Sequence, residues 1–230
     1  MKIKFYNFDH DIFPSSEYIT VLEIENRKLF GNIAQTFYSK IAGKESLEDI
    51  SWIEDDEIIR FDKNAIYISD PLQINFHDKK FQSFLYDKLN NIYGIDHDKQ
   101  MQMENRYDSL VEFIKQLFNE VDIELDYSYQ LDLNKLFRLV DVRISEPDTS
   151  SPLEKLTSFL EISANLNLYN LVVFCNLKSY FAEDDLAEIY KLILYLKIPV
   201  ILIESTLQLI LKSEKKLIID QDFDEFLEEG

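Results

Sequence analysis

The spacing of apolar residues changes period twice along this 230-residue chain, and that change restricts the fold more than any single motif does. From Asp78 onward, apart from the acidic run at 120–126, apolar side chains recur every three or four positions as far as Val140, so they can be buried only by amphipathic helices. Phe81, Phe84, Leu85, Leu89 and Ile92 form one stripe. Met103, Tyr107, Leu110, Val111, Ile114, Leu117 and Phe118 form a second, and Asn90 to Asp98, with Gly94, is expected to turn the chain between them. Two such helices make an antiparallel hairpin. Leu133, Leu136, Phe137 and Val140 mark a short third helix.

The flanking sequence has a different rhythm. Before the helical stretch, Lys2, Lys4 and Tyr6 alternate with Ile3, Phe5 and Phe8, and Tyr18 to Ile24, Glu57 to Phe61 and Ala65 to Ile68 are short strand-like runs. One helix, about Leu29 to Ile41, interrupts them. After it, Val142 to Ile144, Leu171 to Cys175, Pro199 to Glu204 and Leu217 to Ile219 are expected strands, followed by an acidic tail, Asp220 to Gly230. Ser151-Pro152-Leu153-Glu154 is a capping pattern opening a helix to about Asn165, and Asp184 to Leu196 is another helix. Uninterrupted apolar strands separated by helices imply a buried, largely parallel sheet. The expected fold is therefore α/β, with a head formed by residues 1–77 and 141–230 and a helical domain, 78–140, inserted into it.

Composition narrows the function classes. Hydrophobic residues make up 46% and aromatics 13%, too apolar for a disordered acidic chain. One cysteine excludes an internal disulfide and a Cys-based zinc site, and such thiol economy suits the cytoplasm. Met1 to Phe8 lacks the continuous apolar run of a signal peptide, and Leu192 to Leu196 and Val200 to Ile203 fall far short of a bilayer span, so no membrane is expected. The formal charge of -19 argues against loose coating of nucleic acid, and any DNA contact needs a local basic patch or cations.

The sequence carries little that resembles a catalytic motif. A phosphate-binding loop needs a glycine-rich turn followed by Lys and Ser or Thr, whereas Gly43-Lys44 is followed by Glu45 and Ser46, with Tyr38 where the first glycine belongs. The strand Leu171 to Cys175 ends in Asn176, where a magnesium-binding strand would end in an acid. Cys175 is expected to be a packed thiol, and His10 and His97 lie in polar turn sequence. The sharpest constellation is Glu120-Val121-Asp122-Ile123-Glu124-Leu125-Asp126. In an extended conformation its four carboxylates share one face, where they suit either a hard cation such as calcium or the charged face of an edge strand. Carboxylates also hold catalytic magnesium in nucleases, but here they follow a helix directly, with no glycine to admit a phosphate. Lys79 and Lys80 at the start of the first middle helix, and Lys135 and Arg138 on the third, suit contact with a DNA backbone or with water alone.

Several of these segments together resemble the small adaptation accessory proteins of type II-A CRISPR loci. Asp108-Ser109-Leu110-Val111, the acidic run from Glu120, Val142-Arg143-Ile144, Leu171 to Asn176, Ser179-Tyr180-Phe181 before an acidic helix start, and Val200 to Glu204 occur in the family's order. The opening Met1 to Phe5 is similar as well, whereas Ile41 to Ile74 gives no convincing match. The resemblance implies a head like a degenerate NTPase without nucleotide activity, carrying an inserted helical leg. It implies homotetrameric rings that hold double-stranded DNA, preferring ends, and that bind calcium between head and leg. It implies a part in spacer acquisition beside the CRISPR integrase and the type II effector nuclease. Glu120, Asp122, Glu124 and Asp126 carry over as calcium ligands, and the acids of Glu183-Asp184-Asp185 do not. The expectation is a non-enzymatic DNA-binding protein, against a metal-dependent nuclease or a protein-binding module on an inactive NTPase fold.

Overall fold

The computed structural model describes residues 1–118, 120–121, 126–127, 129–145, 151–205 and 210–230. The chain divides into two compact units, Met1–Asn75 with Pro147–Gly230, and Phe76–Glu146.

The first unit is mixed α/β. Its main sheet has six strands in the order β5 (Ala65–Ile68), β6 (Leu171–Cys175), β7 (Val200–Glu204), β2 (Ile19–Ile24), β8 (Glu214–Ile219) and β9 (Glu225–Glu229). The first five are parallel and β9 is antiparallel to β8. Every residue of β2 and β7 is buried, as parallel strands covered on both faces must be. Side chains alternate across the strands, so each face has its own packing. Leu22, Ile24, Leu171, Val173, Ile201 and Ile203 face Ile33 and Phe37 of helix α1 (Arg27–Ile41). The same core takes in Ile3, Phe5 and Trp52 from a three-stranded antiparallel sheet, β1 (Lys2–Phe5), β3 (Ile50–Glu54) and β4 (Glu57–Ile59). The opposite face belongs to helices α6 (Pro152–Leu166) and α7 (Glu183–Leu196), which pack on each other. A one-turn helix, α2 (Phe61–Asn64), precedes β5.

Local chemistry sets the helix ends. Asn26 caps α1, its carboxamide oxygen accepting from the Lys28 and Leu29 amides at 3.1 Å each. Gly43, at φ +69°, lies just past its last turn, where the Gly43 amide donates to the Lys40 carbonyl and Lys44 to Ser39. Gly43-Lys44 thus ends a helix and does not open one. Ser151 caps α6 with Pro152 in its first turn, and Asn167 closes it at φ 52°.

The second unit holds α3 (Lys79–Ile95), α4 (His97–Phe118) and α5 (Leu133–Leu139), bringing the helices among the described residues to seven. Val111 is buried and Met103, Tyr107 and Phe118 are half-buried, whereas Leu110, Ile114 and Leu117 of the same predicted stripe stay 44%, 39% and 55% exposed. Tyr86 of α3 packs on Phe137 of α5 at 5.3 Å, and Asn90 donates to Asn134 at 2.9 Å.

Three expectations are corrected. Val142 to Ile144 forms no strand, because the Val142 amide donates to the Phe137 carbonyl and closes α5. The run from Glu57 leaves the sheet after Ile59, and Phe61 begins a helix. The acidic tail contains β9, whose Glu229 meets Lys215 at 2.7 Å. No helix among the described residues is long and apolar enough to cross a membrane. Replacing Asn26 by Ala should destabilise the protein by about 1 kcal/mol in urea or thermal unfolding, the usual loss when two helix N–H groups lose a cap.

Candidate functional site

Two sets of charged residues stand out, one exposed in the helical unit and one buried in the sheet. Lys79 begins α3 and is exposed, while Lys80 is half-buried and its amide is held by the Asp78 cap at 2.7 Å. In α5, Asp132 caps the helix by accepting from the Lys135 amide at 3.1 Å, and its carboxylate lies 3.7 Å from the Lys135 ammonium. The Lys135 side chain is 80% exposed, and an exposed pair of this kind contributes little to stability. Arg138 is exposed in the last turn of α5. The Asn90–Asn134 bond sets α5 beside the later turns of α3; Lys79, eleven residues before Asn90, is therefore about 16 Å away along the helix axis. The four cations thus lie along one three-helix unit without clustering at a point. This unit has nine Lys and Arg against fourteen Asp and Glu, a milder acidic excess than the rest of the chain.

The acidic run begins differently from the expected extension. The Glu120 amide donates to the Leu117 carbonyl and Val121 to Phe118, so the chain is still turning at Glu120. Glu120 and Asp126 are exposed, and Asp126 Oδ1 accepts from the Tyr127 amide at 2.9 Å. Asp122 and Glu124 lie outside the described residues. Among the described residues no three His, Cys, Asp or Glu side chains converge as a metal site would require.

The buried set was missed by sequence reasoning. Glu23, Glu204, Glu214 and Lys216 are 0–2% exposed and Lys178 is 6% exposed, all within the first unit. Lys216 Nζ lies 2.8 Å from Glu23 and 3.9 Å from Glu214; Lys178 Nζ lies 2.8 Å from Glu214. The Tyr190 hydroxyl of α7 donates to Glu214 at 2.7 Å, which places the cluster on the α7 face. The available signal was a charge inside apolar strand sequence, as in Val21-Leu22-Glu23-Ile24.

Two lysines leave one carboxylate over. Glu204 Oε1 accepts only the Lys178 amide at 3.2 Å, and Oε2 has no hydrogen-bond partner among the described residues. Burial, opposed by Lys178 and reinforced by Glu23 and Glu214, pushes the Glu204 carboxyl up to about 7. Burial likewise raises the Tyr190 hydroxyl and the half-buried Cys175 thiol, which interacts with Tyr67. Cys175 is therefore a poor thiolate nucleophile.

Around the strand–helix junction β2–α1 the connection is only Glu25 and Asn26, with no glycine. So short a connection, without glycine, does not form a phosphate-binding loop. Residues 45–223 match the family described as CRISPR-associated protein (Cas_Csn2). The chain belongs to that family. The Cas_Csn2 match contains the acidic run, all four candidate DNA-binding cations, and Glu204, Glu214 and Lys216, while β2 and α1 precede it. Among solved structures, this Cas_Csn2 member is similar over 96% of its length to a bacterial Atm1-family ABC exporter with ATP bound, at 12% identity and a TM-score of 0.40. It spans 37% of that protein's chain.

The raised Glu204 carboxyl gives a signed pH dependence. The folded state keeps this proton to about pH 7 while the unfolded chain loses it near 4.5, so its contribution is complete below 4.5 and lost as pH rises through 7. The loss is on the order of 3 kcal/mol. Glu204→Gln, which keeps the acceptor for the Lys178 amide, should melt above the parent at about pH 8 and alongside it at about pH 5. Parallel melting curves for the two proteins across that range would refute the assignment.

Proposed function

We propose that this Cas_Csn2 member is a non-enzymatic protein of the spacer-acquisition machinery that binds double-stranded DNA at ends as a calcium-stabilised homotetrameric ring. The family match over residues 45–223 carries this reading. On it, the first unit is the NTPase-like head and the second the helical leg, and the cytoplasmic partners are the CRISPR integrase and the type II effector nuclease. The glycine-free β2–α1 connection and the helix-ending Gly43 support a head without nucleotide turnover.

Four acidic copies can admit a duplex only if their cations are gathered towards it. Lys79, Lys80, Lys135 and Arg138 would serve as phosphate contacts, which position a duplex without reading its bases. Calcium would be held by Glu120, Asp122, Glu124 and Asp126, an all-oxygen set suited to a hard cation of irregular coordination. By binding one arrangement of the chain better than others, the cation would shift the population towards the form that accepts DNA.

Gel-shift assays on linear DNA with calcium or chelator, together with solution mass, test this reading. Affinity should fall steeply with salt and show little sequence preference, and a monomer in calcium would overturn the ring. Lys79→Glu with Lys135→Glu should weaken binding at least about tenfold and flatten the salt dependence, each lost phosphate contact removing roughly one unit of slope. Asp122→Asn with Glu124→Gln should abolish the calcium dependence while leaving the melting of the α/β unit intact. DNA cleavage in magnesium or manganese that disappears in Asp122→Asn would instead establish a nuclease.

A further inference from the structure

A cavity of about 340 Å3 opens in the first unit beside the start of α1, on the sheet face opposite the buried ionic cluster. This is where a strand–loop–helix nucleotide site would take phosphate, yet its chemistry is reversed. The α1 amides of Lys28 and Leu29, which would face an anion, are already occupied by the Asn26 carboxamide. The polar lining includes Glu48, Asp49 and Glu225, with Lys28 the only Lys or Arg among the described residues. A phosphate is therefore repelled.

Glu48 is fixed by its backbone and by neutral side-chain amides alone. Its amide donates to Thr36 Oγ1 at 3.2 Å and its carbonyl accepts from Ser46 Oγ at 2.9 Å. Its carboxylate accepts from the side-chain amides of Asn7 at 2.9 Å and Asn32 at 3.2 Å. Neutral amides orient the carboxylate without neutralising it, and among the described residues no Lys or Arg pairs with it. Glu225, by contrast, is engaged by the Asp9 and His10 amides and the His10 ring at 2.8 Å each.

The rest of the wall is apolar. Phe5 and Phe8 stack at 4.8 Å and both line the cavity, as does Phe223. Phe223 sits at φ 72° in the β8–β9 turn and is 59% exposed, so it is costly in backbone and contributes little to the core. A carboxylate held open beside phenyl rings is the recognition chemistry of an ammonium ion attached to an apolar body, and the volume is at the small end of ligand pockets.

We infer that this cavity binds a small organic ammonium ion, its charged head on Glu48 and its apolar body against Phe5, Phe8 and Phe223. The probe is phenethylamine, titrated into the full chain by calorimetry with a parallel thermal melt. Its uncharged analogue 2-phenylethanol and ATP are the comparisons. Phenethylamine at millimolar concentration should raise the melting temperature, bind at least about tenfold more tightly than 2-phenylethanol, and not be displaced by ATP. Glu48→Gln, with its backbone anchors kept, should lose about tenfold in affinity or more. Phe223→Gly should melt higher than the parent without ligand, because the left-handed backbone is then unstrained, and yet bind phenethylamine more weakly. Absence of any heat or melting shift with phenethylamine, equal binding of 2-phenylethanol, or displacement by ATP would each overturn the assignment, and none depends on DNA binding.

Discussion

A charge in the middle of a buried strand governs much of this architecture. Glu23 belongs to β2, which lies between β7 and β8 and has every residue buried. A lone carboxylate there would be prohibitively costly, and the cation that relieves it, Lys216, comes from 193 residues further along the chain. In the observed register Lys216 stands opposite Val21, two residues before the position opposite Glu23, on the same face of the sheet. A slip of one residue would turn Lys216 to the other face and strand both charges. Buried ion pairs add little net stability, because desolvation offsets the attraction, but they penalise every alternative pairing. For five parallel strands of near-uniform aliphatic character, that penalty supplies a register that hydrophobicity alone does not.

The same physics separates what the sequence made legible from what it did not. The helices were visible because their spacing is local: α1, α6 and α7 follow the predicted stripes and caps to within a few residues, whereas α3 continues through the expected turn to Ile95 and α4 already begins at His97, so that Gly94 is helical and only Asp96 separates the two. The parallel sheet was visible because its strands lack polar alternation. β9 was hidden, because Glu225, Glu228 and Glu229 in isolation are an acidic tail, and only pairing with β8, with Lys215 opposite Glu229, makes them an edge strand. The ionic cluster was hidden for a stronger reason. Glu23, Lys178, Glu204 and Lys216 come from four separate segments; only Glu23 stands out, as a charge inside apolar strand sequence, and its partners look like ordinary strand-end or surface charges until the topology brings them together.

Amphipathic spacing also overstated burial in one place. The α4 stripe satisfies helical periodicity over seven apolar residues, but a single helix face can turn only part of so wide a stripe towards α3. Met103, Tyr107, Val111 and Phe118 take the inner positions and Leu110, Ile114 and Leu117 remain outside. Periodicity therefore identified the element correctly while leaving open which of its residues form a core.

The two faces of the main sheet both disfavour the binding of an anion, for different reasons. At the β2–α1 junction the connection is Glu25-Asn26, and the Asn26 side chain satisfies the first helix amides, so they are not open to an anion. Glu48 adds negative charge where an NTPase needs positive. Glycine in place of Asn26 would free the helix amides but would leave that carboxylate in place, so a single loop change would not make an anion site. On the other face, Lys178 and Lys216 are already committed to buried carboxylates and cannot be recruited to phosphate without leaving charges unpaired in the sheet. Anion chemistry is thus opposed from both sides by interactions the fold itself requires.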